Sequence, residues 1–189
     1  MKRALRLFMV SLLFILLPTA CSPSSTTLSN QAQPPSPTVT NEAGRHVELE
    51  GGFSYLPPTD WQIRDFPGSK YKPAYGTRKD DFAPNINFVD ESFSASLDEY
   101  VSANLEAMKK FFKDFKVIKQ EEDFFTSKGE RGIKIITENT QSEKKLRQVF
   151  YFFDARNKKI VVTYSRLAIK GQENDILADQ SMQTFRVEK

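Results

Sequence analysis

The sequence predicts a fold of the α/β (α+β) class, in which an antiparallel β-sheet is sandwiched by helices. Short runs rich in Val, Ile, Phe and Tyr alternate with turn residues through most of positions 45–189, which is typical of antiparallel strands. One segment, 96–112, instead repeats its apolar residues every three or four positions, as an amphipathic helix does. The run 150–153, Phe-Tyr-Phe-Phe, lacks the alternation of a strand with one wet face and indicates a strand covered on both faces.

The first twenty residues have the pattern of a bacterial signal peptide. Lys2, Arg3 and Arg6 precede an apolar run over 7–17, and small residues follow at positions 19 and 20. A transmembrane helix needs about 20 predominantly apolar residues, so this run is too short to be retained as one. We therefore expect residues 1–20 to be removed on export.

The only cysteine follows directly, in the order Leu17-Pro18-Thr19-Ala20-Cys21. This order resembles the lipobox of bacterial lipoproteins, in which the cysteine receives diacylglycerol and becomes the first residue of the mature chain; Pro18 stands where leucine is usual. The resemblance implies lipidation of Cys21, with acyl chains such as palmitate, and anchoring to the periplasmic or thylakoid-lumen face of a membrane. The alternative is a secreted protein in which Cys21 is incidental, although a single thiol is unusual in an exported chain.

The region after the cysteine divides into a tether and one domain. Residues 21–44 are rich in Ser, Thr and Pro, and we expect a disordered tether because they offer too little apolar surface to offset the entropy of ordering. Residues 45–189 have the size of a single domain. Without the three basic residues of the signal peptide, 24 basic residues face 24 acidic ones. This near-neutral balance supports neither nucleic-acid binding nor a polybasic membrane-surface function.

Nine strands are predicted within the domain. In chain order they lie near 47–49, 53–56, 61–66, 71–77, 85–90, 116–126, 132–138, 146–153 and 159–166. The last three form a meander, joined by the polar links 139–145 and 154–158.

Two helices complete the predicted domain. The face of the 96–112 helix carries Leu97, Val101, Leu105, Met108 and Phe112. Ser96 and Glu99 match a capping box at its start. A second helix is predicted over 173–184, with a less polar side formed by Ile176, Leu177, Ala178, Ser181 and Met182. Core packing is the interpretation for the aromatic residues Phe111, Phe112, Phe115, Phe124 and Phe125.

The opening of the domain carries a resemblance to a known family. Gly52, Phe53, Tyr55, Pro58 and Trp61 follow the order glycine, aromatic, strand, proline, tryptophan. Together with the Asn-bearing strand at 85–89, the helix start at 96–100 and the ending at 182–187, this resembles the PsbP-like superfamily, which includes the extrinsic photosystem II subunit and related bacterial lipoproteins.

The resemblance implies a PsbP-like fold over 52–187 and a role without catalysis. In a photosynthetic host it implies an assembly or stability factor for a photosystem on the lumenal side of the thylakoid. Some members bind divalent metal through His and acidic residues. The single histidine of this chain, His46, lies outside the resembling part, so no histidine-based metal site is carried over.

Catalytic motifs are missing from the sequence. A Ser-His or Cys-His nucleophile system needs an imidazole, and His46 lies where the tether meets the domain. The acidic residues come in local pairs without the alternate spacing of a calcium loop, and we interpret them as solvated surface. They are Asp80, Asp81, Asp90, Glu91, Glu121, Glu122 and Asp123. We expect no cofactor, with calcium or another divalent metal as the alternative.

The segment 71–83 has the composition of a protein-contact surface. It combines tyrosines with charged residues, and Tyr and Arg are over-represented at interfaces. We predict partner contact through Tyr71, Tyr75 and Arg78; the alternative is an exposed loop whose tyrosines pack on the domain. The sequence thus favours a non-enzymatic, membrane-tethered lipoprotein that binds a protein partner. The alternatives are an envelope lipoprotein that binds a small ligand or divalent metal and, third, an enzyme with a carboxylate pair.

Overall fold

The computed structural model describes residues 43–169 and 175–188. The predicted signal peptide, Cys21 and most of the predicted tether lie outside the described residues. The strands are β1 His46–Glu48, β2 Phe53–Tyr55, β3 Gln62–Ile63, β4 Ala74–Tyr75, β5 Asn85–Glu91, β6 Lys113–Phe125, β7 Arg131–Gln141, β8 Lys144–Ala155, β9 Lys158–Leu167 and β10 Arg186–Val187. The helices are α1 Leu97–Phe111 and α2 Ile176–Gln183.

The largest element is a seven-stranded antiparallel sheet in the order β3-β4-β5-β9-β8-β7-β6. The predicted meander is confirmed, but its links are shorter than 139–145 and 154–158. The strands continue through these polar residues and meet in two-residue turns, where Ser142, Glu143 and Arg156 take positive φ values of 42°, 66° and 57°. Polar residues extend the strands because the backbone ladder, not an apolar side chain, holds these ends.

One face of the sheet is covered by α1. The capping box predicted for this helix is confirmed: Ser96 Oγ accepts from Glu99 N at 3.2 Å, and Glu99 Oε2 accepts from Ser96 N at 3.0 Å. Leu97 and Met108 of the helix belong to an apolar cluster with Phe150 of β8. The spacing of three and four therefore predicted the buried side of α1 correctly.

The opposite face is covered by a second sheet together with α2. The small sheet has the order β1-β2-β10, and Phe53 of β2 stacks on Phe88 of β5 at 4.8 Å between ring centroids. Phe185, after α2, stacks on Phe153 of β8 at 4.3 Å. The α+β class and the antiparallel sheet sandwiched by helices are confirmed, and on the face of α2 three short strands share the covering.

Helix α2 is shorter than predicted. It begins at Ile176, after Asp175, and positions 173 and 174 lie outside the described residues. Ile176 and Leu177 are exposed and so do not belong to the packed side. That side is formed by Ala178, Ser181 and Met182.

The aromatic run of β8 has both of its faces buried, as predicted. Phe150 and Phe152 point to the α1 cluster, whereas Tyr151 and Phe153 point to the cluster beneath the small sheet. Among the other aromatic residues predicted to be core, Phe124 is buried and Phe112 and Phe115 are partly buried. Phe111 and Phe125 are exposed, so the prediction is wrong for these two.

Replacing Ser96→Ala should lower the free energy of unfolding by about 1 kcal/mol, because both bonds of the capping box are lost. Urea denaturation of the two proteins measures the difference. Ser102→Ala, at an exposed position inside α1, is the matched control and should cause no loss, since alanine has the higher helix propensity. Equal losses for both variants would contradict the capping role.

Candidate functional site

The segment predicted to contact a partner starts in the core. Tyr71 is 2% exposed, and its ring makes an edge contact with Phe53 at 5.1 Å between centroids. Its side chain therefore provides no exposed contact surface, because the small sheet covers it. Tyr75 is half-buried, and the guanidinium of Arg64 lies 4.5 Å from its ring centroid. Burial raises the pKa of Tyr75, an effect that Arg64 opposes.

Gly76 follows Tyr75 and begins a hairpin that ends at Pro84. A Cβ atom at Gly76 would lie 2.9 Å from the indole ring of Trp61, so only glycine allows the chain to pass there without a shift. Gly76 N donates to Pro84 O at 2.8 Å and closes the base of the hairpin. We call Gly76 to Pro84 the 76–84 hairpin.

The tip of the 76–84 hairpin is a tight turn. Lys79 and Phe82 exchange two backbone hydrogen bonds of 2.9 and 3.0 Å, and Asp80 and Asp81 between them have φ values of 50° and 57°. Phe82 is buried, whereas Arg78 and the three residues that follow it are exposed. Lys144 Nζ also donates to Asp80 O at 3.3 Å. The turn therefore presents charged side chains from a backbone that is fixed at its base and tip.

A row of uncharged polar side chains runs across the sheet from the base of this hairpin. Tyr75 lies opposite Asn85 on β5, Asn85 opposite Ser165 on β9, and Ser165 opposite Gln148 on β8. Gln148 Nε2 donates to Ser165 Oγ at 2.9 Å, and Asn139 Nδ2 donates to Gln148 Oε1 at 2.6 Å. We call Asn85, Ser165, Gln148 and Asn139 the amide row.

The amide row connects the hairpin to the sheet. Asn87 Nδ2 donates to Asn85 Oδ1 at 2.7 Å, and Asn85 Nδ2 donates to Ala83 O at 3.0 Å. Gln148 and Ser165 are fully buried, and buried amides are stabilising only when their hydrogen bonds are made, as they are here. The row thus fixes the register of the strands and the end of the hairpin. Sequence reasoning missed it, although Asn85 and Asn87, two positions apart in a strand, are a signal for polar residues on one face.

Two carboxylates hold α2 on the sheet, those of the buried Asp175 and the partly buried Asp179. Asp175 Oδ2 accepts from Arg147 Nε at 2.9 Å, and its Oδ1 accepts from Arg166 Nε at 3.1 Å. One turn later, Asp179 accepts from Lys134 Nζ at 2.8 Å and from the hydroxyl of Tyr151 at 2.6 Å. Burial, followed by the charge of Asp179, raises the pKa of Tyr151. Because these groups satisfy one another, the cluster positions the helix.

The acidic pairs are only partly solvated. Asp80, Asp81, Glu122 and Asp123 are exposed, as predicted, but Asp90, Glu91 and Glu121 are partly buried. Asp90 accepts from Lys158 Nζ at 2.8 Å and from Lys70 Nζ at 2.9 Å. Burial disfavours its charged form, but the lysines outweigh this effect and its pKa is lowered.

The described residues contain neither a cluster for a metal ion nor a membrane-spanning helix. No group of three or more His, Cys, Asp and Glu side chains there is placed to hold a metal ion. His46 lies in β1 with Glu48 Oε1 as its partner at 2.7 Å from Nε2. No helix in the described part of the chain has the length and apolar character needed to cross a bilayer.

Known proteins were compared with this chain by sequence and by structure. No family model and no curated protein matches the sequence. Among solved structures, cyanobacterial PsbP (CyanoP) from Synechocystis sp. PCC 6803 is similar, with 13% identity, a TM-score of 0.56 and coverage of 80% of this chain and 97% of that chain.

Two further solved structures share the architecture. LpqN, described as involved in cell envelope biogenesis of Mycobacterium tuberculosis, has 10% identity and a TM-score of 0.53, covering 72% of this chain and 83% of that chain. The Saccharomyces cerevisiae Ran-binding protein Mog1p has 9% identity and a TM-score of 0.52, covering 76% of this chain and 94% of that chain. This chain is therefore an α+β protein. Its fold is the PsbP-like fold, as the resemblance implied.

Replacing Asp90→Asn should lower the free energy of unfolding by about 1–2 kcal/mol at pH 7, because two charge-assisted hydrogen bonds weaken. Folding lowers the pKa of Asp90, so the carboxylate contributes its full stabilisation when the pH is above the pKa that it has in the unfolded chain. This stabilisation is lost as the pH falls through the lower pKa that Asp90 has in the folded protein. The difference in the free energy of unfolding between the unchanged protein and Asp90→Asn, measured by urea denaturation, should thus shrink as the pH falls below about 4.

Asp65→Asn is the control for this pH series. Asp65 pairs with Lys72 at 3.1 Å, but its side chain is 85% exposed. Solvent screens such a pair, so its loss should change stability little at any pH. A difference for Asp90→Asn that stayed constant down to pH 2 would contradict the assignment.

Proposed function

We propose that this chain is a non-enzymatic lipoprotein, tethered through Cys21 to the extracytoplasmic surface of a membrane, that binds a protein partner through the 76–84 hairpin. The observation that carries the proposal is the exposed, charged turn of this hairpin, fixed at its base by the Gly76–Pro84 hydrogen bond. A preorganised loop loses little entropy on binding, so its side chains contribute more of their interaction energy.

Arg78 and Tyr75 have different parts in the proposed contact. Arg78 is exposed on the hairpin, where it is available for hydrogen bonds to a carboxylate of the partner. Tyr75, half-buried beneath Arg64, supports the base of the surface and offers only one side of its ring. Tyr71 supports the fold from within the core.

The PsbP-like fold supports the proposal by analogy. Mog1p, which shares the architecture, is named as a Ran-binding protein, and LpqN is linked by its description to the cell envelope. Because folds host many functions, these likenesses count less than the hairpin itself. If the host is photosynthetic, we propose an assembling photosystem II complex as the partner.

A photo-reactive amino acid at position 77, the exposed neighbour of Arg78 in the hairpin, should cross-link one reproducible protein in intact membranes, identified by mass spectrometry. The same residue at position 128, in the exposed turn between β6 and β7, is the matched control. Arg78→Glu should weaken capture at least tenfold, because it reverses the charge offered to the partner. Equal yields from positions 77 and 128, or no adduct from either, would exclude the hairpin as the contact.

Cys21→Ala should make the protein extractable from the membrane by high salt alone, because acylation needs the thiol and the chain would lose its lipid anchor. Fractionation of cells and electrophoretic mobility measure the change. The protein should become extractable without detergent, with a shift in mobility. Unchanged membrane association and mobility would exclude lipidation at Cys21.

A further inference from the structure

We propose that the corner where α1 meets β6 binds an anionic membrane surface. The corner comprises residues 109–119, which read KKFFKDFKVIK. Five lysines against one aspartate give it a formal charge of +4, although basic and acidic residues balance over the chain that follows the predicted signal peptide. The balance of the whole chain therefore conceals a strongly basic segment at one end of the sheet.

All five lysines of the corner are exposed, and three of them share one side of β6. Lys113, Lys116 and Lys119 lie opposite Thr140, Glu138 and Ile136, which alternate along β7 and so point to one face. Residues three apart point to opposite faces in a regular strand. Here the strand pairing shifts by one residue between Lys113 and Lys116 and again between Lys116 and Lys119, so the three side chains point to the same face.

Nearby carboxylates leave most of this charge uncompensated. Lys109 pairs with Glu106 at 2.8 Å and Lys119 with Glu121 at 2.7 Å, but the lysine of each pair is exposed, so solvent screens both pairs and they contribute little. Lys110, Lys113 and Lys116 form no ion pair with a described carboxylate. The one aspartate of the corner, Asp114, accepts a hydrogen bond from Thr140 Oγ1 at 2.9 Å.

The same corner carries exposed apolar side chains. Phe111 is 54% exposed, Ile118 48% and Val117 40%. Phe112 and Phe115 are partly buried, and their rings stack at 6.1 Å, which fixes the turn from α1 into β6. Apolar side chains next to lysines suit the boundary between lipid headgroups and acyl chains. At this boundary the apolar side chains insert and the lysines contact the phosphates.

The outer edge of β6 favours a lipid surface over pairing with a strand of another molecule. β6 is the last strand of the seven-stranded sheet, but its register shifts and lysines are features that oppose edge-to-edge pairing. A fluid surface of anionic headgroups needs no hydrogen-bonding register and accepts lysines from either side of the edge. The chemistry of the corner thus commits it to anionic lipid.

The test uses a chain of residues 22–189, which lacks Cys21 and therefore any lipid anchor. Both core clusters consist of residues from Phe53 onward, so this chain keeps both clusters complete. It should sediment with vesicles of phosphatidylcholine and phosphatidylglycerol at 3:1, and not with phosphatidylcholine alone. Binding should fall at least tenfold between 50 and 500 mM salt, because salt screens the lysines.

Lys113→Ala combined with Lys116→Ala should weaken vesicle binding by more than tenfold, because each lysine near an anionic surface contributes about a fivefold factor. Lys72→Ala with Lys128→Ala removes the same charge from exposed positions elsewhere and should leave binding unchanged. Circular dichroism would verify that both variants fold. Equal binding by the two variants would overturn the proposal.

A fluorescent probe locates the contact. Phe111→Cys provides the only thiol of the 22–189 chain, and a polarity-sensitive dye on it should shift to the blue with the anionic vesicles. Ser127→Cys, beyond the far end of β6, should show no shift. The absence of a shift at position 111, or equally tight binding to an acidic polypeptide or a nucleic acid, would overturn the proposal. Since no anchor and no protein partner are present, failure here leaves the proposed function of the hairpin and of Cys21 untouched.

Discussion

The burial of both faces of β8 is the constraint on which the rest of the fold depends. Its four consecutive aromatic residues, 150–153, are completely removed from solvent. Burial of one such side chain stabilises the fold by roughly 1.5–3 kcal/mol. If either face of the sheet were exposed to solvent, a large part of the free energy of unfolding would be lost. The sheet therefore needs a layer on each side. Helix α1 is one layer, and the small sheet with α2 is the other.

Helix α2 shows how ion pairs complete a layer that apolar contacts alone cannot hold. Its eight residues are too few for a helix that is stable in isolation, and two of its aliphatic side chains face solvent. Asp175 and Asp179 attach it to basic residues of the sheet, while Met182 fills the core. The middle of the domain is thus fixed, and the surfaces proposed to bind partners lie at its margins, on the 76–84 hairpin and at the α1–β6 corner.

Local patterns predicted the elements that depend on neighbouring residues. The capping box of Ser96 and Glu99 and the apolar period of α1 act within a few turns of chain, and the sequence shows both. The same holds for β8, whose aromatic run predicted a layer on each face. The burial of Tyr71 depends instead on contact with Phe53, which belongs to the small sheet. For Tyr71, the composition of the segment 71–83 therefore pointed wrongly to the surface.

Other features were unpredictable because they depend on residues far apart in the chain. The second sheet forms only when β2 pairs with β10, more than 130 positions away. The amide row brings together side chains of β5, β7, β8 and β9, and the carboxylate of Asp175 meets one arginine of β8 and one of β9. The common side of the three lysines in β6 results from register shifts that no period in the sequence reveals.

The pairing of β2 with β10 has a consequence for the order in which the protein forms. Ser54 contacts Glu188 near the end of the chain, and Phe185 fills the space between the two sheets. Contacts between residues so far apart in the chain form slowly. The core is therefore complete only once residues 185–188 have packed against β2 and between the two sheets.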